Sequence, residues 1–157
     1  MHPRLAEISE RLAAERRLLL DVASAVPSDR WQTRPVEGRW SVGEICQHLH
    51  QVETSCAAVL AKRIAQAREA GHPPERETSS VLGTLDHLRV SELDRKLEAP
   101  ERAQPSDNPD RETAERRLAA SRAALLAAPR SRGRVPPQDR VRCSGHPRPY
   151  LHSGLEI

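Results

Sequence analysis

An all-α fold is predicted by three features of the sequence. The 157 residues include two Trp, one Tyr and no Phe. Leu, Ala and Val must therefore fill the core, a palette that suits packed helices better than a sheet. Apolar residues recur at three- and four-residue steps, the period of a buried helical stripe. Thirty per cent of the residues are charged, as expected of amphipathic helices with solvated outer faces. The length predicts one domain with a real hydrophobic core: a helical bundle over 1–128, followed by an irregular segment over 129–157.

The first helix is predicted over 3–25. Leu5, Ile8, Leu12, Leu19, Val22 and Val26 form its stripe, and Pro27 and Ser28 end it. The loop that follows carries Trp31, Pro35 and Gly38. Trp31 is expected to fold back over the end of the bundle and pack in the core, a large apolar ring being more often core than ligand platform.

The second helix is predicted from Ser41 to about Ala70. Ser41 and Glu44 fit a Ser-x-x-Glu capping box, in which each side chain satisfies an orphan amide at the helix start. Val42, Ile45, Leu49, Val52, Cys56 and Val59 give the expected buried line. Gly71 is a plausible C-terminal stop, reinforced by Pro73 and Pro74. A helix of this length, roughly 45 Å at 1.5 Å per residue, is a bundle spine. His48 lies on the flank of its stripe, able to point into the bundle interior. His50 is expected to turn away.

A third helix is predicted over 80–98, with Val81, Leu85 and Leu88 on one face, ended by Pro100. The stretch 99–109, with Pro105, Asp107, Asn108 and Pro109, reads as loop. A fourth helix is predicted over 110–128, with Leu118, Leu125 and small alanines as a weak stripe and Glu112 and Glu115 favouring the helix dipole. The last 29 residues hold six Arg, five Pro and three Gly, with almost no apolar periodicity. They read as irregular.

Composition also bounds the function. A formal charge of +3 is modest. The Arg-rich tail lacks interleaved aromatics and any DNA-binding motif, so nucleic acid is not expected as a partner. No apolar run approaches a membrane span, and no secretory leader is visible. Three cysteines in irregular spacing argue for free thiols in a reducing compartment. A cytoplasmic protein is the expectation.

Pro35, Gly38, Trp40-Ser41-Val42-Gly43-Glu44-Ile45, His48-Leu49 and Glu53 together resemble the DinB-like superfamily of small helical bundles. The stretch from Asp94 to Pro105, followed by Ala120-Ser121-Arg122, is similar to one subgroup of that family. The resemblance implies a four-helix bundle with up-down-down-up connectivity. It also implies a divalent ion, zinc or nickel, held by three histidines: one at the position of His48, two from a His-x-x-x-His pair on the last helix. Members with known activity include thiol-dependent transferases.

This chain has no His-x-x-x-His. His146 and His152 are six apart and would not share a helix face. His146-Pro147 resembles the dipeptide before the last helix of the subgroup, but no helix pattern follows. The last, metal-binding helix is therefore expected to be missing or disordered. As a hypothesis, the tail is out of frame, because aperiodic Arg- and Pro-rich sequence is what a GC-rich gene gives in a wrong frame. Resequenced DNA with no His-x-x-x-His in another frame rejects that idea.

His48 is thus the one candidate metal ligand. His50 and His87 fall off the apolar stripes, so solvated surface is expected for both, and Asp86 reads as a surface carboxylate near a stripe edge. Cys56 is expected to be a small core residue and Cys46 to flank the other side. Neither these nor Cys143 stands in Cys-x-x-Cys spacing. Two functions are expected from different classes. The first is a metal-dependent transferase or hydrolase acting on a small-molecule substrate, its metal site incomplete in this chain. The second is a non-catalytic helical scaffold whose open groove pairs with a second copy.

Overall fold

A computed structural model describes residues 1–84 and 99–130. The expected third helix lies almost wholly outside the described residues, as do Asp86, His87, Cys143, His146 and His152. Of that helix only 80–84 is described, and residues 82–84 form a turn, closed by the Thr84 amide donating to the Val81 carbonyl. The described residues are all-α, with three helices and no strand: α1 (Pro3–Ser24), α2 (Val42–Glu69) and α3 (Arg111–Ala127). Short 3-10 turns occur at Ser28–Arg30, Glu101–Ala103 and Ala128–Arg130.

The helix ends follow from local chemistry. The α2 capping box is complete: the Ser41 hydroxyl accepts from the Glu44 amide at 3.2 Å, and the Glu44 carboxylate accepts from the Ser41 amide at 2.9 Å. At the other end Gly71 takes φ +70°. The Gly71 amide donates to the Arg68 carbonyl and the His72 amide to the Ala67 carbonyl, the paired bonds of a Schellman stop. Asp110 caps α3 by accepting from the Thr113 amide at 2.8 Å. That amide is the leading reason its carboxyl sits below its ordinary pKa.

Side-chain contacts give the helix directions. Residue 43 of α2 meets 108 and 109, His50 meets Arg117, and Glu53 meets Ser121 and Arg122. The partner numbers rise together, so α2 and α3 run parallel. Arg16 meets Glu53, while Ser24 and Val26 meet Arg111. Here the numbers run opposite, so α1 is antiparallel to both. Up-down-down is the order of the three described helices.

The α2–α3 seam is close because small residues line it. A Cβ on Gly43 would sit 2.5 Å from the Pro109 carbonyl oxygen and nearer still to Asn108 Oδ1, so only glycine fits there. Cys46, Ala57, Ala114, Leu118 and Ser121 are buried along the same seam. Trp31 is 2% exposed, packed in the core as expected. Its indole N–H donates to the Pro109 carbonyl at 3.1 Å, and the Arg111 guanidinium lies 4.7 Å over its ring.

Two expected stripes are rotated. Cys56 is exposed rather than core, and Val59 is 57% exposed. The buried line of α2 runs instead through Gly43, Cys46, Gln47, Glu53 and Ala57. On α1, Val22 is 65% exposed and Ala23 is buried. In both helices the closest approach falls on small residues next to the large apolar ones, which flank the seam.

Glu53 ties all three helices. One carboxylate oxygen accepts from Arg16 of α1 at 2.7 Å and from Arg122 of α3. The other accepts from the Ser121 hydroxyl at 2.8 Å. Arg122 reaches on to the Leu12 carbonyl of α1. Burial pushes the Glu53 carboxyl up, but the hydrogen bonds from Arg122, Ser121 and Arg16 outweigh it and hold the pKa below its ordinary value. The loop after α2 clamps the start of α1: Arg4 donates to the Ser79 carbonyl and pairs with Glu75, and the Glu7 carboxylate accepts from Ser80 and the Val81 amide.

Candidate functional site

His48 lies in the second turn of α2 and is half-buried. Its Nδ1 is in hydrogen-bond contact with the carbonyl of Ala103, in the 3-10 turn Glu101–Ala103. A carbonyl only accepts, so the Nδ1 proton is the donor. In the neutral ring Nε2 then carries the free lone pair. The Trp40 ring stands 5.1 Å from the imidazole, its plane tilted by 45°. The backbone acceptor sets the tautomer, and the Trp40 ring packs beside the imidazole. That is the arrangement of a metal-ligating histidine, whose second nitrogen is anchored to a carbonyl or carboxylate. It also suits a hydrogen-bond acceptor or a general base.

His50 does not turn to solvent. It is half-buried, and its Nδ1 donates to the Arg117 carbonyl of α3 at 3.1 Å. The expectation failed because His50 follows the small-residue seam, not the line of large apolar side chains.

A polar patch that periodicity does not reveal adjoins the histidines. The Gln47 and Gln51 amides both reach the Ser106 hydroxyl, at 3.4 and 2.9 Å. Arg117 bridges Gln47 Oε1 at 2.8 Å and Asp107 at 2.9 Å. Its guanidinium is the leading reason the Asp107 carboxyl sits below its ordinary pKa. Gln51 Oε1 is buried without a partner. The available signals were the Gln47–Gln51 spacing of four, which places both on one helix face, and the turn-forming Ser106-Asp107-Asn108 sequence. Neither names the partner across the loop.

Cys46 is 2% exposed, not a flanking residue, and burial pushes its thiol pKa up. A thiol held protonated at neutral pH is a poor nucleophile. Among the described residues, no three His, Cys, Asp or Glu side chains come together to cage a metal ion, and no helix is long and apolar enough to cross a membrane. His48 thus has its Nδ1 engaged by the Ala103 carbonyl, next to the Gln47–Gln51–Ser106 patch.

A family model described as the DinB superfamily matches residues 11–144. No curated protein and no solved structure matches the chain.

Proposed function

The chain belongs to the DinB superfamily, and from that membership we propose a metal-binding protein of the transferase or hydrolase kind, with His48 as one ligand to a divalent ion, zinc or nickel. The observation that carries the reading is the Nδ1–H bond to the Ala103 carbonyl, which leaves Nε2 as the donor. The donor set fits in part. An open catalytic zinc site takes three protein ligands, and the described residues supply His48 alone. What this residue itself does is offer an oriented imidazole nitrogen next to the polar patch of Gln47, Gln51 and Ser106. The reaction class rests on family membership.

The test is metal analysis of the full chain after loading with zinc or nickel and dialysis. His48-dependent retention is expected, weakened at least about tenfold by His48→Ala and unchanged by His50→Ala. Substoichiometric metal that His48→Ala leaves unaltered rejects the proposal.

A specific observation favours a second reading, a helical scaffold that self-associates. Ile45, Cys56 and Val59 share one face of α2, and each is exposed among the described residues. This reading expects concentration-dependent dimers by light scattering. A strict monomer with metal-dependent turnover disposes of it.

A further inference from the structure

A cavity of about 770 Å³ opens between the three helices at the end of α2 remote from His48. Its walls are Leu5, Ile8 and Leu12 of α1, Leu60 and Ile64 of α2, and Leu125 of α3. Leu60 and Ile64 lie 12 and 16 residues beyond His48, about 18–24 Å along the helix axis at 1.5 Å per residue. The two places are thus separate, and nothing said of His48 bears on this one.

α1 packs down toward its C-terminal end, where Ala23 joins the core, and borders the cavity toward its N-terminal end. Its junctions are long polar side chains: Arg16 to Glu53, Arg122 to the Leu12 carbonyl, Arg111 to the Ser24 carbonyl. Below the Glu53 junction, aliphatic side chains from all three helices face a shared space that none of them fills. The volume lies within the range of about 300–1,000 Å³ typical of small-molecule sites.

The lining is one-signed. Among the described residues its ionisable side chains are His2 and Arg130, and no Asp or Glu lines it. Arg130 is exposed at the end of the turn that follows α3, and its guanidinium meets the Met1 thioether at 3.4 Å. A thioether is a weak acceptor, so that guanidinium remains ready for a stronger anionic partner. Aliphatic walls with a cationic rim match a ligand with an alkyl chain and an anionic head. A cationic amphiphile would meet like charge, and a purely apolar ligand would leave the guanidinium unused.

We propose that this cavity binds a single-chain amphipathic carboxylate of the fatty-acid class, its alkyl chain against Leu5, Ile8, Leu60 and Ile64 and its carboxylate on Arg130.

The test titrates the full chain by calorimetry with dodecanoate and, in parallel, with dodecyltrimethylammonium, which keeps the tail and reverses the head charge. Saturable binding of one dodecanoate per chain is expected, at least tenfold tighter than the cation. Arg130→Glu changes an exposed side chain and should erase that preference while circular dichroism stays the same. Leu60→Trp narrows the cavity and should weaken dodecanoate at least tenfold. Equal affinity for the two heads overturns the proposal, as does a preference that survives Arg130→Glu. No saturable binding also overturns it, the result if a second copy or residues 131–157 of this chain already hold the space.

Discussion

From Ser41 to Ala57, one face of α2 is held by specific contacts, and from Val59 to Glu69 the helix borders the cavity and solvent. In the first half, buried Ser41, Glu44, Gln47 and Glu53 are each matched by a partner from another segment or from the cap itself. In the second half the apolar side chains Val59 and Leu60 stay 57% and 40% exposed. One helix thus carries both kinds of construction. Polar groups fix position where the helices meet closely, and apolar groups bound a space where they do not. Buried polar groups are tolerated only when satisfied, so the enclosed half should be intolerant of substitution and the open half forgiving.

The largest effect is expected at Glu53. Glu53→Ala leaves Arg16 and Arg122 facing one another without their shared anion, their side chains 13% and 17% exposed. Removing one partner of such a buried cluster costs about 3–5 kcal/mol, read from urea unfolding. The same junction sets a pH dependence. The folded pKa of Glu53 lies below its ordinary 4.5, so its contribution is full above that value and is lost as pH falls through the lower folded value. Glu44, lowered chiefly by the Arg34 hydrogen bond, acts in the same sense. The melting temperature should be flat from neutral pH to about 5 and fall below about 4.5, less steeply in Glu53→Gln.

Next is Gly43→Ala, whose new methyl collides with Asn108 and the Pro109 carbonyl. Overpacking of this kind costs about 1–3 kcal/mol, and it should also disturb Trp31 fluorescence, because the Trp31 carbonyl accepts from the Gly43 amide at 3.2 Å. The smallest effect is expected at Leu60→Ala, in the open half, at about 1 kcal/mol or less by the same denaturation. A loss at Leu60 as large as that at Gly43 would break the contrast between the two halves.

Much of this architecture was legible in the sequence, because helix ends are local. Ser41 with Glu44, and Gly71, announce themselves through short-range hydrogen bonds and act as expected, and Asp110, expected as the first helical residue, proves to be the cap of α3. The rotation of the helices was not. Hydropathy weights the largest side chains, so it selected Val22, Cys56 and Val59, while the helices touch through Gly43, Cys46, Ala57 and Ala23. Glu53 entered only as part of the family resemblance; its role as a junction depends on Arg16 and Arg122, which are distant in sequence. At the candidate site, family resemblance singled out His48. The Ala103 carbonyl that fixes its tautomer carries no signal in the sequence, because any residue supplies a carbonyl.

The most direct measurement of the central claim is the protonation of the His48 ring, read by long-range nitrogen–proton correlation on labelled full-length protein with His48→Ala to assign the signal. The account predicts that Nδ1 carries the proton bonded to the Ala103 carbonyl, and that the Nε2 resonance shifts when zinc is added. A proton on Nε2, or a ring indifferent to zinc, would contradict it.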